Sequence, residues 1–195
     1  MRRTPVVALT LLGVLSAGVA PRASATVLLS ADFDDLVREA RAIVHARIVD
    51  VQPQWVEGRR RIESFVTFEA FAYLKGDLGR IVTIRVPGGE LGGYRSVLIG
   101  APVFRAGDEA ILFLSTRDAT IPHVLGLGQG AYRIFALREG GAKLVRPPAG
   151  ASVMAGAARP LRGDPGRRPI GVEEFARRVR DALSRVSAAA RRGVQ

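Results

Sequence analysis

The chain has 195 residues, a formal net charge of +11 at pH 7 and no cysteine. The lack of cysteine excludes disulfides, a thiol nucleophile, cysteine-ligated zinc or iron–sulfur sites and a lipid anchor on an N-terminal cysteine. The charge is unevenly distributed, because residues 26–132 carry 12 basic and 13 acidic side chains, whereas residues 133–195 carry 14 and 5. The basic C-terminal part could attract an anionic surface. The alternative explanation of this positive charge is codon usage rather than binding. Of the 29 basic residues, 27 are arginine, a bias that GC-rich codon usage also produces.

The first 25 residues have the three parts of a cleavable secretory signal peptide. Arg2 and Arg3 form the basic start, residues 6–20 are mostly apolar, and Ala23-Ser24-Ala25 supplies the small residues that a signal peptidase requires. We expect cleavage between Ala25 and Thr26. The pattern predicts export by the general secretory route to the periplasm or the extracellular space. No later apolar run is long enough to span a bilayer, so no transmembrane segment is expected in the mature chain.

The mature chain begins with helical spacing and continues with strand-like alternation. Ser30 or Asp32 can cap a helix start, Asp34 and Asp35 suit its positive end, and the apolar spacing predicts a short helix ending near Ala42. Residues 43–55, 62–74 and 81–86 then alternate as strands, with Glu57-Gly58-Arg59-Arg60 as a hairpin turn between the first two.

Glycine-rich stretches separate the later elements. Residues 88–93 lead through Val97-Leu98-Ile99 to a strand over residues 110–114, whose continuous apolar run predicts burial on both faces. Residues 124–137 form a further bent strand pair. Strands at this spacing predict a mainly β fold, a small OB-like antiparallel β-barrel over residues 26–146 with a short N-terminal helix.

The C-terminal part divides into a linker and a helix. Residues 147–170 have the proline-, glycine- and arginine-rich composition of a linker, and residues 171–193 predict an amphipathic helix. We favour docking of this helix on the barrel over a membrane-surface role, because it carries few large apolar groups and no aromatic belt. Its predicted apolar stripe consists of Val172, Phe175, Ala176, Val179, Leu183 and Val186.

No motif for catalysis, cofactor binding or metal binding is found. His45 and His123 are the two histidines; they lack metal-ligand spacing, and His45 in a strand is most simply structural. The glycine stretches at 88–93 and 126–130 match neither a P-loop nor a dinucleotide fingerprint and are interpreted as bends. G-x-S-x-G does not occur, and the adjacent Asp108 and Glu109 should point to opposite faces. We therefore predict no enzyme, no cofactor and no catalytic or metal-ligating residue.

Several segments resemble a group of exported, largely uncharacterised bacterial proteins with an OB-type barrel like that of netrin-like modules and tissue inhibitors of metalloproteinases. The inhibitor mechanism does not transfer, because those proteins chelate the protease zinc through an N-terminal cysteine, whereas this mature chain would begin with Thr26. The similar segments are Ala42-Ile43-Val44-His45-Ala46-Arg47-Ile48-Val49-Asp50-Val51, Tyr73-Leu74-Lys75-Gly76, Val86-Pro87-Gly88-Gly89, residues 100–109 and Gly126-Leu127-Gly128-Gln129-Gly130.

The functional prediction is an exported, non-enzymatic binding module that recognises another exported protein, such as a protease, or an envelope component. The alternative is a polyanion- or membrane-surface-associated protein that acts through the basic tail, with nucleic acid not expected as the partner. An enzyme of unfamiliar type is the third and least favoured class, and loss of an assayed activity on changing both His45 and His123 to alanine, with folding intact, would support it.

Overall fold

The computed structural model describes residues 31–117, 120–137, 141–148 and 168–192. Two helices lie near the ends of this part of the chain, α1 (Phe33–Glu39) and α2 (Val172–Arg192). The strands are β1 (Ala42–Val56), β2 (Arg61–Lys75), β3 (Ile81–Pro87), β4 (Gly89–Leu91), β5 (Tyr94–Ser96), β6 (Glu109–Ser115), β7 (His123–Val124), β8 (Ala131–Ala136), β9 (Lys143–Arg146) and β10 (Ile170–Gly171).

Five strands close into a barrel in the order β1-β2-β3-β7-β6-β1, which confirms the predicted mainly β, OB-like barrel. Four of the five pairings are antiparallel, and β3 pairs with β7 in parallel at Arg85 and His123. β1 and β2 are each 15 residues long. Register shifts along β1 let this long strand bend around the barrel.

The barrel interior follows from the alternation of apolar residues. In β3, Val82, Ile84 and Val86 are buried while Ile81 and Arg85 face outward. The interior is completed by side chains from the other strands and by Phe104, which follows the glycine-rich excursion.

β6 is buried on both faces, as its continuous apolar run predicts. Ala110, Leu112 and Leu114 point into the barrel, whereas Ile111 and Phe113 point outward into a second core. Along one edge, β6 pairs first with β8 and then with β7, so the sheet extends outside the barrel through β9 and β10. α1 and α2 cover this extension.

The C-terminal helix docks on the barrel through its apolar face. Phe175, Val179 and Ala182 are buried in the second core, and Ala176 is buried as well. The Phe175 ring lies 4.8 Å from Tyr132 and 5.7 Å from Phe33, measured between ring centroids. The apolar face of α2 is thus already covered by the protein's own core.

α1 ends at Glu39, so the predicted helix end near Ala42 is wrong. Ala40 has an extended backbone (φ −59°, ψ 130°), and Ala42 already belongs to β1. Lys75 Nζ donates to the carbonyl oxygens of Val37 (2.7 Å) and Arg38 (2.9 Å), which caps the short helix from β2.

Candidate functional site

His45 belongs to a partly buried polar cluster on the outer face of the barrel. Its Nε2 donates to Glu109 Oε1 over 2.6 Å, and Lys143 Nζ lies 2.9 and 2.8 Å from the two Glu109 oxygens. Burial opposes ionisation of Glu109, but hydrogen bonds from Lys143 and His45 outweigh it and hold the pKa of this carboxyl below its usual value. The Phe71 ring covers His45 edge-on. The cluster joins β1, β6 and β9, and its geometry fits a structural role.

The adjacent carboxylates Asp108 and Glu109 belong to separate networks. Asp108 Oδ2 accepts a hydrogen bond from the Arg105 backbone N–H (2.8 Å) and lies 3.4 Å from Arg133 Nη1. Glu109 faces His45 and Lys143 instead. The two carboxylates therefore do not form one acid–base pair.

His123 lies on β7, opposite Ser115 of β6 and Arg85 of β3. The structure does not join it to His45, which pairs with Ile111 further along β6. Within the described ranges, no group of three or more histidine or carboxylate side chains could hold a metal ion. The predicted signal-peptide cleavage residues Ala23, Ala25 and Thr26 lie outside the described residues, as do residues 149–167 of the predicted linker.

Among the described residues, several exposed apolar side chains lie on the segment after β4, which we call the apolar loop (residues 94–104). Tyr94, Val97, Leu98, Ile99 and Val103 are all exposed, with Ile99 at 81% and Val103 at 69% of their maximal accessibility. The loop ends at Phe104, which is buried in the barrel core. The sequence pattern predicts this segment only as a link between strands. The feature that sets it apart is an apolar run, Val97-Leu98-Ile99, which lies between glycines and does not alternate with polar residues as a strand would.

Both glycine-rich stretches hold the apolar loop in place. Upstream of the loop, just before β4, the Ser64 hydroxyl donates to the Gly88 carbonyl over 2.8 Å, and the Gly88 N–H donates to the Ile62 carbonyl. At the far side, the Gly128 N–H donates to the Gly100 carbonyl over 2.7 Å. The glycines predicted as bends therefore also act as attachment points.

The loop has further contacts along its length. The Arg133 guanidinium donates to the Val103 carbonyl, and the Tyr94 ring packs edge-on against Trp55 at 5.4 Å. Beneath the loop lies a cavity of about 320 Å³ whose walls include Val51, Val66 and Phe104. Val97, Leu98 and Val103 of the loop also line this cavity, although each of them remains exposed.

In the part of the chain that the structure describes, no helix combines the length and the apolar character needed to cross a membrane. No protein-family model, curated protein or solved structure matches the chain.

Proposed function

We propose that this protein is an exported, non-catalytic binding module that docks a partner protein through the apolar loop. The observation that supports it best is the exposure of five large apolar side chains, Tyr94, Val97, Leu98, Ile99 and Val103, on one short segment. Single exposed apolar residues are ordinary, but a contiguous group marks an interaction surface. Export rests on the N-terminal sequence pattern alone.

The attachment of the loop strengthens this argument. Hydrogen bonds at Gly88, Gly100 and Val103, together with the burial of Phe104, order the loop without any partner. A loop that is already ordered loses little conformational entropy on binding, so more of the buried apolar area contributes to affinity. An apolar segment with no binding role would gain nothing from being held outward.

The expected partner is a folded exported protein with an apolar groove and acidic residues at its edge. A short segment that presents several exposed apolar side chains suits an apolar groove on the partner. Arg105 follows the loop and forms no ion pair within the described residues, whereas Arg95 is paired with Glu90. An acidic groove edge would complement Arg105. An exported protease is one version of such a partner.

The test is affinity capture from the exported fraction of the native host, followed by titration of the purified partner. The baits are the unaltered protein and a Val97→Ser/Ile99→Ser variant. A control variant, Val49→Ser/Ile81→Ser, removes exposed apolar side chains from the barrel strands instead. A chain cut after residue 146 is a poor bait, because α2 covers the second core.

We expect one stoichiometric partner that the control variant binds normally and the loop variant binds at least about tenfold more weakly, since interface hot spots are worth about 2 kcal/mol or more. Equal binding by both variants would show that the interface lies elsewhere. Failure of every bait to capture a protein would remove the protein-partner proposal.

A second candidate function uses the solvent-facing side of α2. Arg177, Arg180 and Arg191 are exposed there and form no ion pair among the described residues, while the apolar side of the helix is buried. Contact with a polyanion or an anionic bilayer would thus be electrostatic and weakened by salt. The test is retention on anionic vesicles by a variant in which the three arginines are replaced with glutamine. Unchanged retention would contradict an electrostatic contact through α2.

A further inference from the structure

A second cavity, of about 380 Å³, opens beside the parallel pair of β3 and β7. We call it the rim cavity. Four polar side chains line it, and buried Val86 and Val124 contribute to its apolar walls. The polar residues are Glu63, Arg85, Arg117 and His123.

Three of these side chains are donors that lack protein acceptors. Arg85 Nε lies 3.2 Å from Glu63 Oε2 as an ion pair without hydrogen-bond geometry, so this buried oxygen accepts no hydrogen bond and the Arg85 guanidinium donates none within the described ranges. The Arg117 guanidinium and the His123 imidazole likewise have no side-chain hydrogen bond or ion pair in the described part of the chain. Three unengaged nitrogen donors around one cavity indicate a place for an external acceptor.

Glu63 does not neutralise this cavity. Its side chain is only 5% exposed, and it lies between two guanidinium groups, with Arg61 Nη2 3.1 Å from Oε1 and Arg85 Nε 3.2 Å from Oε2. Arg61 is also paired with Glu57. Within the described residues, no carboxylate pairs with Arg117. The lining is therefore positive and favours an anion.

We propose that the rim cavity binds an oxyanion, either a carboxylate or a phosphate, carried by a small apolar group. A guanidinium fork pairs with either oxyanion through two parallel hydrogen bonds, and Arg85 and Arg117 both offer such a fork. The volume is about twelve times the ~30 Å³ share of one water molecule. A bare phosphate would leave much of the cavity empty, whereas an attached apolar group would cover Val86 and Val124.

Pro102 of the apolar loop contributes to the wall of the rim cavity, but the proposed anion ligands Arg85 and Arg117 lie outside the loop, so the two proposals can be tested separately. The test is calorimetric titration of the purified protein at low ionic strength with three probes: inorganic phosphate, benzoate and phenyl phosphate. We expect one or both aromatic probes to bind at least about tenfold more tightly than inorganic phosphate. Benzoate and phenyl phosphate distinguish the carboxylate from the phosphate as the preferred group.

Four variants locate the site. Arg85→Gln and Arg117→Gln should each weaken binding by about 10- to 100-fold, the typical effect of a lost charge-assisted hydrogen bond. Arg85→Lys keeps the charge but loses the fork, so it should be intermediate. Arg80→Gln, on an exposed residue just before β3, is the matched control and should bind as the unaltered protein does.

Three results would overturn the proposal. The first is that no probe binds. The second is that an Arg85→Gln/Arg117→Gln variant binds the probes as well as the unaltered protein does. The third is that inorganic phosphate and the aromatic probes bind with equal affinity. Unchanged thermal unfolding shows that the variants fold. The Val97→Ser/Ile99→Ser variant should bind the probes normally, so failure of the anion site and failure of the docking loop are distinguishable.

Discussion

Gly128 touches the apolar loop from the segment between β7 and β8, so replacing it with alanine should push the loop away. An added Cβ would lie 2.5 Å from the Gly100 carbonyl oxygen, whereas real Cβ atoms essentially never approach another heavy atom closer than 3.0 Å. The clash is with backbone, which cannot rotate aside as a side chain could. Alanine here must therefore lengthen the 2.7 Å hydrogen bond from the Gly128 N–H to the Gly100 carbonyl.

Overpacking of this kind costs about 1–3 kcal/mol. We expect Gly128→Ala to lower the free energy of unfolding in urea by that amount. Hydrogen exchange of the Ala101 N–H, the loop amide that donates to the Leu98 carbonyl, should accelerate about tenfold for each 1.4 kcal/mol of local stability lost. Exchange in the core of β2 should change less, since that strand pairs with β1 and β3 and not with the segment that carries Gly128.

Gly171→Ala is the matched control. No heavy atom lies within 4 Å of its added Cβ, and its φ lies outside the left-handed region. The control should be neutral or stabilised by about 0.4–1 kcal/mol, because alanine restricts the unfolded chain. If Gly128→Ala were as stable as the control, with unchanged exchange of the Ala101 N–H, the attachment of the loop at Gly100 would carry no stability.

Three further predictions concern the cores and the surface. Phe175→Ala should lower the free energy of unfolding by about 3–5 kcal/mol in urea titrations, because it removes a buried ring from the second core; a loss below about 1 kcal/mol would mean that α2 hardly stabilises the fold. Glu109→Gln should cost about 1.5–3 kcal/mol at pH 7. The pKa of Glu109 is lowered in the folded protein, so its stabilisation exists above the unfolded pKa and is lost as pH falls through the folded pKa. The difference from the unaltered protein should therefore vanish in acid, and a difference that stays constant with pH would refute this. Ile99→Ser should change unfolding by less than about 0.5 kcal/mol, since Ile99 is 81% exposed; a larger loss would show that the loop packs its apolar side chains inward.

Much of the barrel could be predicted because its signals are local. β3 alternates apolar and polar residues in sequence, and the structure buries Val82, Ile84 and Val86 as that period requires. The apolar run in β6 indicates burial on two faces without saying what covers them. The stripe on α2 likewise indicates one buried face, but not its aromatic partners.

The candidate sites could not be predicted, because they consist of residues far apart in the sequence. The rim cavity exists because β7 enters beside β3 and places His123 opposite Arg85. Glu109 meets Lys143 only because the sheet continues past the barrel to β9. Nothing in the local pattern of either residue indicates those partners.

The sequence by itself determined the element types, the turns and the two amphipathic patterns, since these depend on residues within one or two turns or strands of each other. The tertiary structure alone decided which strands close the barrel, which glycines attach the apolar loop and which charged groups remain without partners. Those outcomes depend on long-range strand pairing and register, which bring Gly128 against Gly100 and leave Arg85 and Arg117 around one cavity.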